Sequence, residues 1–122
     1  MSLDTLLPPI PVETEHECIT LYRLGIFEGD QMFELVELKA GKSYPPHRHH
    51  HSTAELYFIE GEGTLTLNGQ ERIYQKGQHI TIEKGTSHGF NVQTQTLFLA
   101  IQTPPIIDTQ TGKIDIEYVG EK

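Results

Sequence analysis

The sequence predicts an all-β protein, built as a small sandwich or barrel. Short runs rich in β-branched and aromatic residues alternate with turn residues, and helix-type periodicity is almost absent. Eight runs are candidate strands: Ile19–Phe27, Met32–Leu38, Glu55–Ile59, Gly63–Leu67, Glu71–Tyr74, His79–Ile82, Thr96–Ile101 and Ile114–Tyr118. Strands of this number, length and spacing are typical of a sandwich or a closed barrel.

The clearest local signal is Asn68-Gly69, which separates the alternating run Thr64–Leu67 from the run Glu71–Tyr74. Asn and Gly both accept the positive φ angles that a tight two-residue turn requires. The sequence therefore predicts a β-hairpin whose turn is formed by these two residues.

Size and charge restrict the class of protein and its partners. A chain of 122 residues fits one domain, and we take residues 1–122 as that domain. The formal net charge of −8 argues against nucleic acid and anionic membrane surfaces as partners. The single cysteine, Cys18, excludes an internal disulfide. The first ten residues lack the basic start and long apolar run of a signal peptide, so we expect a cytoplasmic protein.

Two segments at the ends of the chain differ from the middle. Residues 1–18 are predicted to form an extended arm and residues 103–122 a C-terminal segment. Leu6–Val12 and Pro104–Ile107 are apolar and rich in proline, which cannot donate to a central β-ladder. Because apolar arms on a small barrel need covering, we expect them to dock on the barrel or on a second copy, and we expect a homodimer.

Histidines are concentrated before the third candidate strand, in the segment Pro46–Glu55. Residues i and i+2 of a strand face the same side, so His47 and His49 can direct two imidazoles at one point inside a barrel. His51 has the same parity, whereas His50 does not. Neutral imidazole is a common ligand of zinc, copper, iron and nickel, so the pattern predicts a metal site.

His88 is the distant candidate ligand. It follows the turn at Lys84-Gly85 and precedes a return of the chain through Phe90 and Val92. A histidine at this place begins a new strand and can point towards the interior of the barrel.

These residues resemble the two sequence motifs of the cupin superfamily. Gly41, five intervening residues, His47-Arg48-His49 and the closing Gly61 follow the first motif. Gly77, five residues, Glu83-Lys84-Gly85, two residues and His88 follow the second. The two motifs occupy residues 41–92 in the expected order, which makes the resemblance specific.

The resemblance implies a double-stranded β-helix, also called a jelly roll. It further implies one divalent metal ion, which can be Fe, Mn, Ni, Zn or Cu, held by His47, His49 and His88. Glu83 and Val92 stand where the family has proline and asparagine, and both of those family positions are structural.

The family's carboxylate ligand is the departure that matters. Counting back from Gly61 places Ala54 at that position, and Glu55 lies one residue too late. A β-bulge would turn Glu55 towards the metal, and continuation of the strand would bring His51 there. Three possibilities therefore remain open for the fourth position: water, Glu55 or His51.

Inward-facing neighbours would line a pocket beside the metal. The candidates by position are Tyr44, Tyr57, Phe58, Phe90 and Phe98, and Gln102 is a candidate polar group near a strand end. The expected function is a metal-dependent enzyme, a dioxygenase or isomerase, that acts on a small organic molecule. The alternative is a non-catalytic cupin that binds a sugar or another small molecule, with the metal structural or absent.

Overall fold

The computed structural model describes residues 18–106, 111, 113 and 115–119. These residues form ten strands: β1 Ile19–Phe27, β2 Gln31–Leu38, β3 Ser43–Arg48, β4 Thr53–Glu60, β5 Glu62–Leu67, β6 Gln70–Gln75, β7 His79–Ile82, β8 His88–Val92, β9 Thr96–Thr103 and β10 Glu117–Tyr118. Within this part of the chain no helix has the length and apolar character needed to cross a membrane. The all-β prediction is confirmed.

The strands form two five-stranded antiparallel sheets. One sheet has the order β1-β2-β9-β4-β7 and the other has the order β10-β3-β8-β5-β6. The core is a continuous cluster of buried side chains contributed by both sheets: Cys18, Val36, Leu38, Tyr44, Ala54, Leu56, Phe58, Leu65, Tyr74, Ile80, Ile82, Phe90, Val92, Phe98 and Ala100. The arrangement is that of a jelly roll.

Alternation of buried and exposed residues sets the inner face of each strand. In β2 the buried positions are 32, 34, 36 and 38, and in β9 they are 96, 98, 100 and 102. Ala54, Leu56 and Phe58 are the buried residues of β4. Since a strand has a side-chain period of two, each of these strands presents one face to the interior and the other outwards.

Two turns show why particular residues are needed. Asn68 and Gly69 have φ angles of 49° and 82°, and Leu67 pairs with Gln70 across the turn, so the predicted hairpin is confirmed. Gly61 has a φ angle of 98°, and a Cβ atom there would lie 2.4 Å from the backbone oxygen of Gln95. This position therefore excludes any side chain.

Some strand boundaries differ from the sequence-based assignment. β3 and β8 were absent from the eight candidate strands, although His47 and His88 were expected on extended chain. β3 contains Pro45 and Pro46, and proline weakens a strand signal. The arm over residues 1–17 lies outside the described residues, as does Ile107. Ile106, the last described residue of the apolar C-terminal segment, is buried against the barrel.

Candidate metal centre

Two neighbouring strands bring three histidines together. His47 lies on β3, directly opposite His88 at the start of β8, and His49 follows the end of β3. The amide of Gly85 donates to the carbonyl oxygen of His49 at 2.7 Å, which joins the two histidine-bearing segments. One potential ligand atom from each of the three histidines lies within 4.8 Å of the others, and all three residues are buried.

Backbone carbonyl groups determine the tautomer of each ring. Nδ1 of His47 lies 3.0 Å from the oxygen of Pro45, and Nδ1 of His88 lies 3.0 Å from that of Thr86. Nδ1 of His49 lies 2.6 Å from the oxygen of Asp115. A carbonyl oxygen can only accept, so each Nδ1–H is the donor in the neutral ring. Nε2 of each histidine is therefore the unprotonated nitrogen, as a metal ligand requires.

Burial keeps the three rings neutral. Desolvation lowers the pKa of His47 from 6.5 to about 4. The pKa of His49 is also lowered, again mainly by burial. Burial, with the adjacent His47 and His49, places the pKa of His88 well below its ordinary value. Neutral imidazoles bind a metal without first losing a proton, so this cluster is ready to bind one near neutral pH.

The histidines open onto a small, mainly apolar cavity. Its volume is about 70 Å³, and apolar side chains from both sheets form most of its wall. Tyr44, Phe90 and Phe98 line it, at positions predicted from the sequence. Each water in such a space needs roughly 10–15 Å³, so the cavity holds several waters or one small organic molecule.

Two of the predicted pocket residues lie elsewhere. Tyr57 has the outward parity of β4, is 40% exposed and stacks on His79. Phe58 points inwards but stacks on Tyr74 in the core and is absent from the cavity wall. Tyr57 and Phe58 have opposite parity, so only one of them can face the interior. Phe58 is the inward residue, but it lies too far along β4 to line the cavity.

Glu55 does not join the histidines. Its carboxylate lies on the outer face of the sheet, where it is hydrogen-bonded to His79 and, at 3.1 Å, to the hydroxyl of Thr81. β4 does contain a register shift, but this lies between Phe58 and Glu60. Because the irregularity comes after Glu55, it leaves Ala54 facing inwards and the Glu55 carboxylate on the outer face, away from the three histidines.

His51 also lies apart from the three buried histidines. Its side chain is exposed, and its amide donates to Oδ2 of Asp115 at 2.8 Å. The amide of His50 donates to Oδ1 of the same carboxylate, also at 2.8 Å. Burial acts to raise the pKa of Asp115, but the two amides and nearby histidines outweigh it and the pKa is lowered. Asp115 thus binds the backbone of the turn that follows His49, and β3 ends at Arg48, before His51.

Two buried polar residues face the same cavity. Glu34 on β2 is 1% exposed and Gln102 on β9 is 7% exposed. Gln102 is one of the candidates from the sequence, whereas Glu34 was missed. The alternation Met32, Glu34, Val36, Leu38 gives Glu34 inward parity, and that signal was available in the sequence. Burial raises the pKa of Glu34, although Arg23 opposes the shift.

This fold and site define a cupin: a two-sheet jelly roll with three histidines on adjacent strands around an internal cavity. The profile of the cupin domain family matches residues 34–101, which is more than half of the chain. The chain therefore belongs to the cupin family, and the resemblance noted from its two motifs is confirmed. Its three histidines form a group able to hold one divalent metal ion.

Among known proteins, 86 residues of the chain are 30% identical to quercetin 2,3-dioxygenase of Bacillus subtilis (strain 168). The match covers 69% of this chain and 25% of that enzyme, so the chain spans about a quarter of its length. Two solved structures share the fold at lower identity. The polyketide cyclase RemF from Streptomyces resistomycificus is 22% identical with a TM-score of 0.75, and the alignment covers 100% of this chain and 86% of that one.

Salicylate 1,2-dioxygenase from Pseudoaminobacter salicylatoxidans, solved with gentisate, is 18% identical with a TM-score of 0.73. That alignment covers 88% of this chain and 31% of the dioxygenase chain. At these identities the two solved structures show a common fold alone. Cupins of this shape thus include enzymes with different chemistry, and the likeness does not assign a substrate.

Proposed function

We propose that this cupin is a metal-dependent enzyme that acts on a small organic molecule, with dioxygenase chemistry as the first candidate and isomerisation as the second. The observation that carries the proposal is the convergence of three buried imidazoles, each with Nδ1 hydrogen-bonded to a carbonyl, on one cavity. The identity to a quercetin dioxygenase favours the dioxygenase candidate.

In this proposal His47, His49 and His88 hold one divalent ion through Nε2. A bound ion would supply Lewis acidity and, if redox-active, the capacity to activate dioxygen. The protein positions the three rings through their Nδ1 hydrogen bonds and keeps them neutral by burial. The apolar wall, including Phe90 and Phe98, excludes bulk water and packs against the organic part of the substrate. The described residues offer no fourth protein ligand at this cluster, so a coordination position remains for water or substrate.

The test is reconstitution of the purified chain with Fe²⁺, Mn²⁺, Ni²⁺, Zn²⁺ or Cu²⁺ in separate preparations. We expect one equivalent of ion per chain, and oxygen uptake with at least one compound from a panel of organic molecules small enough for the cavity. The uptake should require the ion and disappear in His88→Ala. Failure of every ion to remain bound after gel filtration would contradict the proposal.

A second candidate is a non-catalytic cupin that binds a sugar or other small molecule, with a structural metal or none. The small cavity, about 70 Å³, favours it over an enzyme for large substrates. Ligand-induced stabilisation without turnover across a broad panel of substrates would support this candidate. Metal-dependent turnover of any compound in the panel would exclude it.

We also propose that the protein is a homodimer. Phe27, Tyr57 and Ile59 lie on strands of the same sheet and are 50%, 40% and 50% exposed, so this sheet presents large apolar side chains that a second copy could cover. The arm Leu6–Val12 could contribute as well, but it lies outside the described residues. Sedimentation velocity should give the mass of two chains, and a monomer at micromolar concentration would contradict the proposal.

We further propose that the protein is cytoplasmic and binds neither nucleic acid nor membranes. The net charge of −8 supports the second point, because it repels anionic surfaces. Retention of the protein on DNA or on anionic vesicles at physiological salt would contradict it. Cell fractionation tests the location.

A further inference from the structure

One side of the cavity carries two buried oxygen atoms that the metal proposal does not use. Gln102 pairs with Met32 of β2 and Ala54 of β4, and Glu34 pairs with Ala100 of β9. Glu34 and Gln102 are therefore diagonal neighbours on the inner face of one sheet, close enough for their long side chains to contact one molecule. Both line the cavity that contains the three histidines.

Neither oxygen finds a donor within the described part of the chain. Oε1 of Glu34 and Oε1 of Gln102 are fully buried and have no hydrogen-bond partner there. A buried acceptor without a donor is costly, and most buried polar groups in proteins are paired. Two such acceptors on one wall of a cavity indicate a surface that is complementary to hydrogen-bond donors.

Glu34 is not a metal ligand in this arrangement. The group of mutually close ligand atoms contains the three histidines and, among the residues that the structure describes, no carboxylate. Its carboxylate instead faces Arg23, whose Nε lies 3.7 Å from Oε2, beyond hydrogen-bond distance. Glu34 and Arg23 have opposite charges, so this wall of the cavity carries no net charge.

We propose that Glu34 and Gln102 accept hydrogen bonds from hydroxyl groups of a largely apolar small molecule bound in the cavity. The inference rests on the proposed function, because it names the class of molecule that the same site takes. The apolar body of the guest contacts Val36, Phe90 and Phe98. Glu34 and Gln102 thus determine specificity for hydroxylated compounds.

The test compares phenol with toluene, which have nearly the same size and differ by a hydroxyl in place of a methyl group. Binding to the full chain is measured from methyl NMR shifts of Leu56 and Val36, once with Zn²⁺ and once after removal of metal by a chelator. A purely apolar cavity favours toluene, which is the more hydrophobic of the two. We expect phenol to bind more tightly in both preparations.

Replacement of the acceptors should remove this preference. Phenol has one O–H to donate, so the double variant Glu34→Leu/Gln102→Leu should lower the ratio of phenol to toluene affinity by about tenfold, the size expected for one buried hydrogen bond. Glu34→Leu alone should account for most of this loss, because a carboxylate is the stronger acceptor. Glu34→Gln, which keeps the shape and one acceptor, should lower it less and remains informative if Glu34→Leu does not fold. Glu55→Gln, on the outer face, is the control and should leave the ratio unchanged.

The outcomes separate this inference from the metal proposal. An unchanged ratio in all cavity variants, or no binding of either probe, would overturn the inference even if Zn²⁺ binds. A preference for phenol that needs Zn²⁺ and is insensitive to Glu34 would also overturn it, because phenol would then be coordinating the ion. A ratio that depends on Glu34 in a chain that binds no metal would support the inference and contradict the proposed function.

Discussion

The burial of His47 predicts how the stability of the metal-free protein depends on pH. The pKa of His47 is lowered from 6.5 to about 4 in the folded state. Between these values the unfolded chain binds a proton that the folded chain does not. Lowering the pH through this range therefore favours unfolding. The stability that His47 contributes is lost completely only below the pKa of the folded state. His49 and His88, whose pKa values are also lowered, contribute in the same direction.

The magnitude for His47 follows from its two pKa values. Between about pH 7.5 and about pH 5 this residue alone removes roughly 2 kcal/mol from the free energy of unfolding. Glu34 acts in the opposite direction, because its raised pKa lets the folded state take up a proton first as the pH falls. A variant of His47 is therefore needed to isolate its contribution.

The assay is urea unfolding of the chelator-treated protein at both pH values, for the wild type and for His47→Gln. Over this pH range the free energy of unfolding should fall by about 2 kcal/mol less in the variant than in the wild type. This corresponds to a difference of about 1 M urea in how far the unfolding midpoint shifts. His51→Gln is the control, since His51 is an exposed histidine outside the buried cluster. Equal pH dependence in the wild type and in His47→Gln would refute the reasoning.

Three further predictions concern the metal, the core and a turn. His88→Ala should abolish the visible Co²⁺ absorption of the reconstituted protein, whereas Glu55→Gln should keep it; loss in both would restore Glu55 as a ligand. Leu65→Ala should lower the free energy of unfolding by about 2–5 kcal/mol, because Leu65 is fully buried, and Ile73→Ala, at a position 72% exposed, by less than about 0.5 kcal/mol. Gly61→Ala should cost clearly more than the roughly 1 kcal/mol expected for Gly77→Ala, because the added Cβ at Gly61 meets backbone whereas Gly77 has nothing within 4 Å. Similar urea midpoints for the two glycine variants would contradict the steric argument.

Much of the fold could be predicted from the sequence because local signals and burial agree. β1 and β7 have the predicted bounds, and the Asn68-Gly69 turn forms the predicted hairpin. β3 was missed because Pro45 and Pro46 obscure its pattern, although the strand tolerates them. The strand forms because it pairs with β8 and β10, and the pairing of distant strands is not visible in a single sequence.

The site, too, contains residues that the sequence predicts and residues that it does not. The His-x-His parity and the motif spacing were sufficient to bring His47, His49 and His88 together. The fourth position could not be resolved, because it depended on where β4 is irregular, and this irregularity follows Phe58. Glu34 was missed because an acidic residue in an alternating strand is ordinarily read as solvated. Only the closed jelly roll shows that its inward parity buries it beside Gln102.

The central claim is that the three buried histidines hold one divalent ion. Anomalous diffraction at the zinc edge, from crystals of the Zn²⁺-reconstituted protein, tests it most directly. We predict one peak per chain, about 2.0–2.1 Å from Nε2 of His47, His49 and His88. A peak only at the exposed pair of His50 and Glu117, or none within the barrel, would contradict the account.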